Sequence, residues 1–173
     1  MKLITWNVNG IRARHTQLIE LMEREQPDVV CLQEIKASPA QVPEFPIHSA
    51  LAGDYRTFWH GSGGYSGVAL LVKRTASASL DVTHPAFDFE FRIASCVVNG
   101  VRIAATYVPN GGKDYEAKLR FLEGLAQWAD AARASLRLSM TNTAPGGHSS
   151  TPLRCGWPRS LNTLIGLRSS RAG

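Results

Sequence analysis

Asp28-Val29-Val30-Cys31-Leu32-Gln33-Glu34-Ile35-Lys36 is the stretch that decides the fold class. Val29 to Leu32 form a short, continuous apolar run, and a run of that length suits a strand covered on both faces. It delivers Glu34 and Lys36 to the strand's end. Upstream, residues 2–6 read as a first strand, and Asn7-Val8-Asn9-Gly10 as the loop after it, because Asn and Gly tolerate the left-handed backbone of a sharp exit. A helix follows: Ile11, His15, Leu18, Leu21 and Met22 recur at helical spacing, Glu20 and Arg24 pair at i,i+4, and Pro27 stops the run. Strand, helix and strand in that order predict an α/β chain.

Downstream, residues 37–53 are loop-like, with a short helical turn near Pro39. Tyr55 to Trp59 and Val68 to Lys73 read as strands joined by a glycine-rich loop, Gly61 to Gly67. Ile93 to Val98 and Val101 to Thr106 flank Asn99-Gly100, a hairpin signal because both central residues of a type I′ turn need positive φ. Tyr115, Leu119, Leu122, Leu125, Ala126 and Ala129 then predict an amphipathic helix to about Ala134. Leu136 to Thr141 alternates with period two and reads as one more half-buried strand; Thr143 to Gly173 holds no period.

The 173 residues, 44% hydrophobic and 19% charged, match an ordinary globular chain that needs no disulfide to build a core. Cys31 and Cys96 lie in apolar runs and read as buried thiols. The longest apolar run, Val68 to Val72, is far short of a bilayer span, and residues 1–7 turn polar too soon for a signal peptide, so the expectation is a cytoplasmic protein without a membrane partner. The net charge of +5 is unevenly spread: residues 1–130 carry 13 basic and all 14 acidic side chains, whereas residues 131–173 carry six Arg and no acid. The charge therefore belongs to the tail and is no evidence for a basic binding face on the body.

Three strand-end loops hold groups that suit phosphate chemistry: Asn7 and Asn9, then Glu34 and Lys36, then Tyr107 and Asn110. One carboxylate with amide oxygens fits a hard cation such as Mg2+, and a phenol nearby can hydrogen-bond a phosphate. Singly, each reads more readily as a solvated charge, a packed ring or a turn. Their joint wording is more specific. Trp6-Asn7-Val8-Asn9-Gly10-Ile11-Arg12, Asp28 to Lys36, Gly64-Tyr65-Ser66-Gly67-Val68-Ala69 and Tyr107-Val108-Pro109-Asn110-Gly111 occur in order, and together they closely resemble the exodeoxyribonuclease III (apurinic/apyrimidinic endonuclease) family of the endonuclease/exonuclease/phosphatase superfamily.

The resemblance covers Lys2 to about Ala134. It implies the first half of a four-layer α/β sandwich, with two mixed sheets face to face and helices outside. It also implies a hydrolase using Mg2+, or Mn2+, to cut double-stranded DNA at abasic sites and trim 3′ ends in base-excision repair, usually as a monomer. By the same matching, Glu34 binds the metal with Asn7 beside it, and Tyr107 and Asn7 act in catalysis. Asn9, Arg12, Lys36, Tyr65, Arg92 and Asn110 approach the DNA. Phe91 stands where the family commonly has Gly before the Arg.

The family's later Gly-Asp-x-Asn and Ser-Asp-His motifs do not occur, and no acid follows Asp130; His148 lacks a carboxylate partner nearby. Residues 1–134 thus read as the N-terminal half of such a domain. Residues 135–173 read as a basic, irregular tail from a shifted reading frame. The expectation is a nuclease whose truncated chain is inactive. The alternative is a non-catalytic remnant that binds DNA weakly and non-specifically. A sheet deprived of its partner would expose an apolar face and drive self-association.

Overall fold

The computed structural model describes residues 1–44, 51–112, 114–141 and 167–168. Strand β1 (Leu3–Asn7) leads into helix α1 (Ile11–Glu25) and strand β2 (Val29–Gln33). After a 3-10 turn at Pro39–Gln41 and the one-turn helix α2 (Leu51–Asp54), β3 (Tyr55–His60) and β4 (Val68–Lys73) complete a four-stranded sheet ordered β1-β2-β4-β3. β1 and β2 run parallel, and β4 lies antiparallel to both β2 and β3. The C-terminal ends of β1, β2 and β3 therefore fall on one edge of the sheet. Asn7, Gln33 and His60 end those strands.

Side chains alternate between faces along a strand, and the core follows that period. Val30, Leu32, Ala69 and Leu71 pack with Ile11, Leu18 and Met22 of α1. Their neighbours Val29, Cys31, Val68, Leu70 and Val72 pack with Ala94, Cys96, Val98, Ile103 and Ala105. The latter five lie on a second sheet, the hairpin β5 (Ile93–Val98) and β6 (Val101–Thr106), which turns through Asn99 and Gly100, both at positive φ. Ile93 meets Phe121 and Leu125 of α3 (Tyr115–Thr141). Helix, sheet, sheet and helix make the four layers expected. Fully burying each such Leu or Ile contributes roughly 1.5–3 kcal/mol.

Two expectations are corrected. The hairpin supplies the partner sheet within this chain, so the inner face of the first sheet is covered among the described residues. Leu136 to Thr141 is not a strand: α3 continues through it, because Leu, Arg, Ser and Met present no Pro, Gly or β-branched run to stop helix propagation. Within the tail read as irregular, Leu167–Arg168 pair antiparallel with β6 as β7; His148 lies outside the described residues. Cys31 and Cys96 are free and buried, and burial pushes both thiols up, that of Cys96 to about 11.

Candidate functional site at the strand ends

The loops after β1, β2 and β3 are stitched together through their backbones. Val8, Gly10 and Ile11 donate N–H groups to the carbonyls of Gln33, Glu34 and Ile35 at 2.8–3.0 Å, and Ile35 and Lys36 donate to Gly67 and Ser66 at 3.1 and 3.0 Å. The stitching imposes an uncommon backbone. Asn9, Glu34, Lys36, Ser66, Glu90 and Phe91 all have φ between 45° and 59°, in the left-handed region that side chains other than Asn disfavour. Such strain persists only where surroundings over-determine it, and it clusters at sites that hold groups in set positions.

The arrangement aims three donors at one carboxylate. Asn7 Nδ2 donates to Glu34 Oε1 at 2.8 Å, Lys36 Nζ stands 3.1 Å from Oε2, and the Tyr107 hydroxyl hydrogen-bonds to the same side chain. Burial alone would raise the Glu34 carboxyl. The bonds from Asn7, Lys36 and Tyr107 outweigh it and hold the group below its usual range. Burial pushes Tyr107 up to about 12, and the negative Glu34 adds to the shift, so the phenol is a proton donor at neutral pH. Asn7 Oδ1 accepts the Asn9 N–H at 3.1 Å, which orients the amide with its NH2 toward Glu34. Asn9 Oδ1 in turn accepts from Lys36 Nζ.

Tyr107, Asn7, Glu34, Asn9 and Lys36 thus form one hydrogen-bonded group. Arg12 is exposed in the first turn of α1. Asn110 and the half-exposed Tyr65 line a cleft of about 140 Å3 together with Phe89, Glu90, Arg92 and Asp114. Arg92 differs in kind, being only 2% exposed. Its guanidinium pairs with Glu90, donates to the Tyr65 hydroxyl at 3.2 Å and sits 5.0–5.4 Å from the ring centroids of Tyr65, Phe89 and Tyr107. Its carbonyl accepts the Tyr107 N–H at 2.8 Å. Phe91 leaves Arg92 seated behind the site, since the left-handed turn through Glu90 and Phe91 takes the place of a glycine.

Sequence reasoning missed the support for that turn. Asp88 Oδ1 accepts N–H groups of Arg92 and Ile93 at 2.9 and 3.0 Å, while Oδ2 faces His60 Nε2 at 2.7 Å. No local signal marks that support: Asp88 bonds N–H groups four and five residues on, beyond the two-residue reach of an Asx turn.

Glu34 fits a Mg2+ ion: a partly exposed carboxylate held below its usual range is the kind of oxygen ligand this cation takes from a protein before substrate phosphate joins it. Among the described residues no group of three carboxylate, His or Cys ligands forms around Glu34; the one such group is His60, His84 and Asp88.

A profile of the Endonuclease/Exonuclease/phosphatase family matches residues 4–161. The chain is 47% identical over 74 residues to exodeoxyribonuclease III of Haemophilus influenzae, covering 43% of this chain and 27% of that protein. It is 31% identical over 136 residues to an exodeoxyribonuclease of Bacillus subtilis, covering 76% and 50%. The structure of an AP endonuclease from Archaeoglobus fulgidus superposes with a TM-score of 0.62 at 30% identity, covering 72% of this chain and 49% of that one. The chain spans half the length or less of the relatives that it matches.

Proposed function

We propose, since the chain belongs to the endonuclease/exonuclease/phosphatase family, that it is the metal-holding half of a Mg2+-dependent DNA phosphodiesterase acting at abasic sites and 3′ ends. The observation that carries the reading is the convergence of Asn7, Glu34, Lys36 and Tyr107 into one group from three separate loops.

Glu34 would hold the ion, with Mn2+ an alternative to Mg2+. A cation held there would supply Lewis-acid polarisation of a phosphate oxygen and charge stabilisation for the leaving 3′ oxygen. Asn7 orients the Glu34 carboxylate through its amide. Tyr107, protonated at neutral pH, donates to a non-bridging oxygen of the scissile phosphate, where charge grows in the transition state. Lys36, a positive charge beside Glu34, can pair with a phosphate oxygen of the substrate. Arg92 positions Tyr65 and Tyr107 rather than meeting DNA itself. Asn9 and Asn110, with Arg12 exposed nearby in sequence, supply polar groups toward the backbone of the duplex.

With no acid after Asp130, this chain offers no later carboxylate to orient the attacking water. The 173-residue chain is therefore expected to hold Mg2+ weakly and to leave an abasic-site duplex uncut. Joined to a second half carrying Gly-Asp-x-Asn and Ser-Asp-His, it is expected to cut that duplex in Mg2+. Incision by the unextended, monomeric chain, abolished in Glu34→Ala, would overturn the inactive state; binding of Mg2+ equal in wild type and Glu34→Gln would overturn the site.

The acid-free, six-Arg segment from residue 131 supports a second reading, a non-catalytic remnant with electrostatic DNA affinity. Six engaged Arg would give a log–log salt slope of about −5 on duplex DNA. Loss of that affinity on deleting residues 135–173, with no preference for abasic duplex, marks the remnant.

A further inference from the structure

We propose that His60, His84 and Asp88 form a second cation site, built for a borderline transition-metal ion such as Zn2+ and separate from the Glu34 group. One ligand atom from each residue lies within 4.8 Å of the others. His60 is fixed by its place at the end of β3, where it pairs with Val68. Asp88 is fixed by the two backbone N–H groups on Oδ1, which leave Oδ2 turned to His60 Nε2 at 2.7 Å. His84 Nδ1 lies 3.1 Å from the Ile93 carbonyl. A carbonyl only accepts, so Nδ1 carries the proton and the neutral ring keeps its lone pair on Nε2.

A carboxylate anchored by backbone donors, as Asp88 is, is an outer contact of the kind that orients a metal ligand. Two imidazoles and one carboxylate suit Zn2+ and leave a fourth position for water, whereas Mg2+ prefers oxygen throughout. Zinc bonds of about 2.0–2.1 Å put tetrahedral ligands roughly 3.3 Å apart, so the widest pair must close by up to about 1.5 Å, while His60 gives up the proton that it turns to Asp88 and that 2.7 Å contact opens. The two rings stack with centroids 3.9 Å apart and planes 15° from parallel, an arrangement in which both lone pairs cannot meet one ion. His84 is exposed, and rotating it out of the stack, which releases the Ile93 carbonyl, brings its lone pair round. Loading would tie β3 to the loop that seats Arg92 and, through the Arg92 carbonyl, the Tyr107 backbone. The inference does not depend on the phosphodiesterase reading.

The test uses the full chain with Zn2+ alone, in competition with a chromophoric chelator, and Co2+ as a spectroscopic probe. Wild type and Glu34→Gln are expected to hold one ion at least tenfold more tightly than His84→Gln, and to melt at a higher temperature in Zn2+ while His84→Gln does not. Co2+ is expected to give visible bands of a tetrahedral nitrogen–oxygen site, lost in His84→Gln. Asp88→Asn, which keeps an oxygen for the backbone donors, guards against loss of the fold and is expected to weaken binding likewise. Unchanged Zn2+ affinity in both His84→Gln and Asp88→Asn, or loss that follows Glu34→Gln instead, would overturn the proposal and leave His60–Asp88 as a hydrogen bond that braces a loop.

Discussion

Two groups of ionisable side chains stand at one end of the first sheet, separated by the width of β4, or roughly 10 Å at the usual strand spacing. The Glu34 group is a carboxylate ringed by donors, drawn from the loops after β1, β2 and β6. The Asp88 group is a carboxylate flanked by two imidazoles, drawn from the end of β3 and the loop before β5. Each acid is partly buried, yet each is held in place by partners of a different kind. Glu34 is held ionised by side chains that a cation or phosphate can displace, which suits a reacting centre. Asp88 is tied by backbone N–H groups that nothing displaces, which suits a brace. Arg92 joins them, its backbone on Asp88 and its guanidinium against Tyr65 and Tyr107.

The largest expected effect separates the two acids by activity. If the proposed function holds, Glu34→Gln in the chain joined to a complementary second half should lower abasic-site incision on the order of a thousand-fold, because it removes the proposed metal ligand, which acts with the other groups as a unit. Zn2+ retention should be untouched. Equal loss of both would mean that the two groups are one site.

Next comes the link between them. Arg92→Ala should destabilise the chain by about 2–3 kcal/mol in urea unfolding, chiefly through lost packing on three aromatic rings, since Glu90 is half exposed and keeps its hydration. The Tyr65 and Tyr107 ring signals should broaden or average by NMR. Unchanged stability would show that the braced loop does not depend on its arginine.

Smaller effects are read as titrations. Asn7→Ala removes one donor from Glu34, so its carboxyl should move up toward the ordinary value near 4.3 in a carbon-13 NMR titration. Because the folded value is depressed, the stability involved is complete above the unfolded value and is lost as pH falls through the folded one. The variant should therefore differ from wild type at neutral pH and converge with it in acid. Tyr55 and Tyr107 are both raised to about 12, and Tyr107→Phe should remove one of the two late steps in an ultraviolet titration. Removal of neither step would place the Tyr107 hydroxyl away from Glu34.

What the sequence determined by itself was set by local period and local turn chemistry. The apolar run before Glu34, the helical spacing from Ile11 and the Asn99-Gly100 turn specify strands and helix at nearly their observed bounds, because burial on one face or both leaves a repeat that residue order preserves. Glu34, Asn7 and Tyr107 were legible as a site only through the wording of four motifs; their spacing of 27 and 73 residues says nothing of contact. Tertiary structure decided the rest. It laid the β5–β6 hairpin over the first sheet, buried Arg92 behind Tyr107 and brought His60, His84 and Asp88 together. None of these has a local signature. Each depends on which loops close against which across a sheet edge, and that follows from strand order, a property of packed layers that no single stretch of residues encodes.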